Sequence, residues 1–268
     1  MFVTIITDCH DTATAGRQLT RANAIFDCPA NLVGVDFNAD YQAAGNLIDI
    51  LDASEGTEGV VLANVAPRSG EANKKWPNGT PFGFFHYHST LVVCSIDGYL
   101  LSLVKKLGLA EKVRVFDIPT VMANVPNKLD FYLNQKDYII NTQFRSFEFL
   151  PRVAKWIWEK IELPIEELYL TDVKDMDNQI WWIDNFGNCK TSILPNEISF
   201  EAGKKIKLGG LPETQCYTRL KDVPNGEPAL VVGSSGVKET RFVEFLLQGG
   251  SAAAKYGLKM GDKLPLVS

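Results

Sequence analysis

Over roughly its first 120 residues the chain alternates short apolar runs with stretches of helical spacing, and beyond Leu163-Pro164 that alternation stops. Phe2 to Thr7 is an apolar run of the kind buried on both faces of a parallel sheet. Leu32 to Asp36, Gly59 to Val65 and residues 82–95 read as further strands or a hairpin. Between them, Ala15 to Phe26 reads as a helix, and Ala44, Leu47, Ile48 and Leu51 recur at helical spacing with Asp40 near a capping position. Residues 113–121 read as a strand ending at Pro119, Asn124 to Lys128 as a loop, and 130–139 as an irregular piece. Pro151 fits the first turn of a helix leading through Trp156. The last hundred or so residues hold only short strand signals between Gly and Pro turns, at 169–174, 179–184, 188–193, 204–208, 214–219, 229–233 and 240–248, with a helical turn at 251–256. The expectation is an α/β protein: an N-terminal, mainly parallel sheet domain over residues 1–165 and a smaller β-rich C-terminal domain over 166–268.

Composition narrows the class. Of the 268 residues, 46% are hydrophobic and 22% charged, which is ordinary for a globular protein of one large or two modest domains. A net charge of −5 gives no electrostatic reason to expect nucleic acid. No stretch of 18 apolar residues reads as a membrane span. Residues 1–9 read as a strand entering a polar turn, not as a secretion signal. The five cysteines are scattered without a C-x-x-C, so unpaired thiols in a reducing cytoplasm are expected.

Candidate functional residues gather at two places. Asp8, His10 and Asp11 follow the first strand, at the end of a parallel sheet where ligands bind. Asp8 and Asp11 suit a ribose diol, although Asp11 is equally suited to cap the following helix. The second place is Ile180-Trp181-Trp182-Ile183-Asp184-Asn185-Phe186-Gly187-Asn188, a strand running into a tight polar turn. It presents an acid, an aromatic face and a carboxamide. Asp184 suits a ligand ammonium, Phe186 a stacked base, and Asn188 an adenine edge. A plain hairpin whose Asp and Asn bond only their own backbone fits the same residues. His86 and His88, at i and i+2, would share a strand face, but two histidines without a third ligand do not make a metal site. No metal is expected.

The motif I-D-N-F-G-N-x-x-T-x-I over residues 183–193 resembles the C-terminal domain of the S-adenosylmethionine (SAM) hydroxide adenosyltransferase family, which is related to the SAM-dependent fluorinases and chlorinases. Other blocks agree in order along nearly the whole chain. They are Thr7-Asp8 with Asp11 and Gly16; Asp40-Tyr41 with Ala44 and Leu47; Ser95-Ile96-Asp97-Gly98; and Thr142, Phe149 and Pro151. Ser234-Ser235-Gly236, Gln248 to Ala253 and Gly257-Leu258-Lys259-Met260-Gly261-Asp262 complete the resemblance.

The resemblance implies a SAM-binding protein, commonly a homotrimer, with the ligand between one subunit's N-terminal domain and a neighbour's C-terminal domain. SAM is then substrate or ligand and no further cofactor is implied. Water or another small nucleophile attacks the ribose 5′ carbon, and methionine and adenosine are released. By the same resemblance Asp8 holds the ribose, Asp184 the methionine ammonium, and Phe186 and Asn188 the adenine. Ser234 and Ser235 lie near the methionine carboxylate, and the Leu247–Gln248 backbone near the adenine. The family's water-orienting Asp, Arg and His positions hold Asn64, Glu71 and Phe144 here. Arg68 and Arg145 are the nearby cations, and Arg145 stands where halogenating members carry a small residue. With Asn64, Arg68 and Arg145 as the nucleophile-side candidates, two functions remain open: a SAM hydrolase, or a non-catalytic SAM or adenosine binder on the same scaffold.

Overall fold

The structure, a computed structural model, describes residues 1–65, 81–125 and 136–267. Arg68 and Glu71, and most of the loops expected near 66–81 and 124–135, fall outside those residues. Two compact units are present, Met1–Lys174 and Asp175–Ser268.

The first unit runs β1 (Phe2–Thr7), α1 (Thr12–Phe26), β2 (Ala30–Gly34), α2 (Asp40–Ala53) and β3 (Gly59–Asn64). A hairpin follows, β4 (Phe82–Tyr87) and β5 (Thr90–Ser95), then α3 (Ser102–Lys106), β6 (Lys112–Phe116) and α4 (Ile118–Asn124). It closes with α5 (Lys136–Asn141), α6 (Arg145–Glu148), α7 (Leu150–Trp158) and β7 (Glu166–Tyr169). Its seven strands form one sheet in the order β2-β1-β3-β5-β4-β6-β7. β2, β1, β3 and β5 are mutually parallel, while β4 and β7 run against their neighbours. β5 is buried along its whole length, as a central strand covered on both faces must be. On one face Val3, Ile5, Leu62, Phe82, Phe84, Val93, Phe116, Leu150 and Trp156 make a continuous core under α1 and α7.

Three expectations are corrected here. The strand expected over 113–121 stops at Phe116, because Asp117 caps α4 by accepting from the Thr120 N–H at 3.2 Å and Pro119 sits in that helix's first turn. Proline has no N–H to donate there and its fixed φ is already helical, so it starts an element instead of ending one. The strand expected at 169–174 lies earlier, at Glu166–Tyr169, and Leu170–Asp172 is a 3-10 turn. That strand pairs with β6, from Val115 opposite Glu166 to Lys112 opposite Tyr169. The N-terminal sheet therefore reaches past residue 165, and the first unit ends at Lys174.

The second unit contains β8 (Ile180–Ile183), β9 (Cys189–Thr191), β10 (Lys205–Ile206), β11 (Thr214–Tyr217), β12 (Pro228–Val237), β13 (Thr240–Leu247) and the short helix α8 (Ala252–Tyr256). The sheet order is β10-β11-β12-β13-β9-β8, with β11 and β12 parallel and the other pairs antiparallel. Ile180, Cys189, Ile193, Val243, Phe245 and Leu264 form its core. The fully buried Trp181 donates its indole N–H to the Thr191 carbonyl at 3.2 Å, so its polar edge is satisfied inside the sheet.

Candidate functional site

In the first unit β2 and β3 lie on opposite sides of β1, so the connections reverse direction at β1. Such a reversal opens a crevice at the carboxyl ends of the strands. Thr7 and Asn64 are register partners there, which sets Asp8 and Asn64 side by side at that edge. Asp8 is half-buried and accepts from the Asn38 N–H at 3.3 Å and the Cys9 thiol at 3.6 Å. Phe37, beside Asn38, is 67% exposed, an unusual position for a phenylalanine next to a carboxylate. Sequence reasoning did not single it out, because one aromatic in a loop carries no period. Asp11 is the N-cap of α1 and accepts from the Thr14 N–H at 3.1 Å, and the Thr14 hydroxyl first, then that N–H, lower its carboxyl pKa. Its structural reading as a cap therefore holds, and the acid left facing the crevice is Asp8. His10 is exposed, with its ring against Gly34.

Asn64 also lines a cavity of about 10 Å³, room for about one water, together with Gln18, Arg21 and Ser146. Arg21 comes from α1 and was missed in the sequence, where only Arg68 and Arg145 were weighed. Its guanidinium lies 4.1 Å from the centre of the Phe147 ring and pairs with Glu148 at 2.8 Å. Glu148 is buried and takes a second cation, Arg152, at 3.0 Å. Phe144 stacks on Phe147 at 5.2 Å, with Arg17 over both rings. A hydrocarbon ring thus stands where the resemblance places an imidazole. Arg145 opens α6 and is half-buried, and that burial lowers its guanidinium pKa. It is not among the residues lining the cavity.

In the second unit the turn between β8 and β9 is built around Asp184. One carboxylate oxygen accepts from the N–H groups of Phe186 and Asn188, both at 2.9 Å, and the other accepts from the Asn188 side-chain amide at 2.9 Å. A carboxylate offers about four acceptor positions. Three are filled, and the turn holds the group rigidly with one left over. The plain Asx-turn reading is therefore correct as a description of the turn, and it leaves a preoriented acid at the surface. Phe186, at the tip, is 78% exposed. Gly187 has φ +80°, and a Cβ there would overlap the Ser251 hydroxyl. Ser251 caps α8 by accepting from the Ala254 N–H at 3.0 Å, and the Ala253 N–H donates to the Gly187 carbonyl at 3.0 Å. The D-N-F-G-N turn and the G-G-S-A-A segment, far apart in sequence, interlock.

Leu247 ends β13, bridges to Gly250 and lies at the same end of the sheet as the turn. Ser234 and Ser235 do not join this group. They occupy an irregularity in β12 between Val232 and Gly236, toward the start of β13. Ser235 is 1% exposed, so Ser234 is the one that presents its side chain at the surface, while its carbonyl accepts from Arg241 at 2.8 Å.

The remaining candidates are accounted for structurally. None of the five cysteines is in a disulfide. Burial, helped by Asp184, Asp262 and Glu244, pushes the Cys189 thiol up to about 12, and burial alone does the same to Cys94. Neither is a thiolate at neutral pH. His86 lies in β4, but His88 has φ +52° in the turn after it, so the two do not share a strand face. Among the described residues no three His, Cys, Asp or Glu side chains gather as for a metal ion, and no helix is long and apolar enough to cross a membrane.

A parallel-sheet α/β unit with an acid at its switch point, joined in sequence to a β unit bearing a rigid acidic-aromatic turn, defines a class of two-unit α/β proteins. Residues 178–265 match the SAM hydroxide adenosyltransferase C-terminal domain, so the second unit is similar to that domain. An uncharacterised conserved protein from Thermotoga maritima has a similar structure, with TM-score 0.70 and 16% identity over 99% of this chain and 100% of that one. A conserved hypothetical protein from Thermus thermophilus is similar at TM-score 0.62 and 18% identity, covering 99% of both chains. At these identities the likeness is one of fold. No curated protein matches the chain by sequence.

Proposed function

We propose that the protein binds SAM, with the methionine ammonium on Asp184, the adenine between Phe186 and Asn188, and the ribose on Asp8. The observation that carries this reading is the Asp184 turn, whose carboxylate is held by three donors and keeps one acceptor position outward beside an exposed aromatic ring. Asp8 and Asp184 lie in different units. The assembly that the family resemblance implies, a homotrimer in which one subunit's N-terminal domain faces a neighbour's C-terminal domain, would supply both to one ligand. Light scattering of the purified protein tests it.

The reaction we propose is hydroxide adenosyl transfer. A water oxygen bonds to the ribose 5′ carbon, the carbon–sulfur bond breaks, methionine leaves as a neutral thioether and a proton passes to solvent. Displacement of a sulfonium needs in-line placement more than a strong base. That suits a site where Asn64 and Phe144 replace groups that would orient water. Incubation with SAM followed by chromatography should give adenosine and methionine in equal amounts. The same two substitutions favour a second reading, a SAM binder without turnover. Saturable SAM binding by calorimetry with no adenosine released would establish that reading, and absence of binding would overturn both.

A further inference from the structure

The sheet of the first unit carries a second concave site at the edge opposite Asp8 and Asn64. A groove of about 720 Å³ opens where α7 ends, over the face of β4 and β6. That volume is in the range of small-molecule sites. Its location follows from the lining: Glu58 immediately precedes β3, and Ser89 immediately precedes β5. It therefore lies at the amino ends of the parallel strands and shares no residue with the crevice described above.

Its floor breaks the pattern of the strands that form it. β4 is buried except at His86, and Arg114 is the exposed residue in the middle of β6. Phe84 and Arg114 are register partners, and His86 follows Phe84 by two residues, so all three share one face. That face is the one packed under α7, where aliphatic side chains would be the ordinary choice. Phe84 is buried beneath the two polar groups, 5.7 Å from the Arg114 guanidinium and edge-on to His86 at 6.0 Å. Glu167, opposite Arg114 on β7, is engaged by Lys112 at 2.6 Å, and among the described residues Arg114 makes no ion pair. Partial burial, helped by Arg114, lowers the His86 pKa, so at neutral pH a neutral imidazole stands beside a fixed cation. The opposite wall is apolar, from Trp158 and Ile161 at the end of α7.

We propose that this groove binds an amphipathic monocarboxylate, its carboxylate on Arg114 and His86 and its apolar body along Trp158 and Ile161. A guanidinium beside a neutral imidazole N–H matches the two oxygens of a carboxylate. The other charged groups lining the groove set the ligand's charge. Glu58 stands three strands from Arg114, about 14 Å at ~4.8 Å per strand, too far to neutralise it. Glu162 and Lys160 are exposed and offset each other. Among the described lining residues the floor is left with the single positive charge of Arg114, which matches one negative charge on an apolar body better than a phosphate or other polyanion.

The test uses 3-phenylpropanoate as probe and the imidazole NMR signals of the protein's three histidines, of which His10 lies at the opposite edge and serves as control. The His86 signal should shift saturably, with a Kd in the micromolar to low-millimolar range, and its titration should move to higher pH when the probe is bound. Arg114→Gln should weaken binding about ten- to hundredfold, the loss of one charge-assisted contact, and Arg114→Lys should restore part of it. Ile161→Asp, on the other wall, should abolish it independently of any effect of Arg114 on folding. SAM binding should be the same in all three variants. No His86 shift at about 10 mM probe, equal shifts with 3-phenylpropanol or phenyl phosphate, or unchanged binding by Arg114→Gln and Ile161→Asp would each overturn the proposal.

Discussion

Replacing Asp184 separates two roles that its carboxylate plays at once. Asp184→Ala removes the acceptor for the Phe186 N–H, the Asn188 N–H and the Asn188 side-chain amide. Three hydrogen bonds at about 0.5–1.5 kcal/mol each set an upper limit of about 4.5 kcal/mol, and water access to this half-exposed turn brings the expected loss to about 2 kcal/mol. Asp184→Asn keeps one oxygen for the two backbone donors. Its new amide meets the Asn188 amide, which can turn over to accept, so the loss should be within about 1 kcal/mol. Both variants remove the charge. A charge-assisted contact to the SAM ammonium is worth about 1.5–3 kcal/mol, so both should bind SAM roughly ten- to hundredfold more weakly by calorimetry. Urea midpoints should then rank wild type above Asp184→Asn above Asp184→Ala, while the two affinities fall together. Undiminished SAM binding by Asp184→Asn would refute the ammonium assignment. Equal destabilisation by the two variants would refute the division of the turn's hydrogen bonds.

Phe186→Ala should leave the urea midpoint almost unchanged, because the ring is 78% exposed, yet weaken SAM binding by about 1–3 kcal/mol if a base stacks on it. Gly187→Ala should cost about 2 kcal/mol or more, from a strained positive φ plus overlap with the Ser251 hydroxyl, and the cost should shrink when Ser251 is also changed to Gly. Burial raises the Asp40 carboxyl pKa despite the Tyr99 N–H at 2.7 Å. A raised acid favours the protonated folded form, so this contribution is fully present below the ordinary aspartate value of 3.8 and is lost as pH rises through the folded value. Asp40→Asn should therefore flatten the wild type's pH dependence in that window, measured by urea unfolding across acidic pH.

How much of this was legible in the sequence depended on how local the signal was. The strand and helix alternation up to Pro164 was readable because strand and helix periods are set by neighbouring residues, whereas the order β2-β1-β3-β5 was not, because it is fixed by which strands pair in the fold. The tight turn from Asp184 to Asn188 was readable because a turn is its own environment. Pro119 was misread because proline both ends strands and starts helices, and the capping Asp117 decides between the two. β7 was assigned to the wrong domain because nothing within Glu166–Tyr169 says which sheet it will pair with. Arg21 was missed because its place beside Asn64 is created by α1 packing on the sheet, not by its neighbours in the chain. Ser235 was selected by motif alone, and burial inside the β12 irregularity takes its hydroxyl away from the surface.

The interlock between Gly187 and the start of α8 has a kinetic consequence. The turn cannot open without breaking the Ala253 N–H bond to the Gly187 carbonyl, so turn and helix start should open as one unit. In amide hydrogen exchange, Asn188 and Ala253 should exchange at matched rates and slow together when ligand is added. A loop already closed before its ligand arrives has little order left to acquire. On this half of the site association should then be a single concentration-dependent phase, and differences among ligands should be written in their rates of escape.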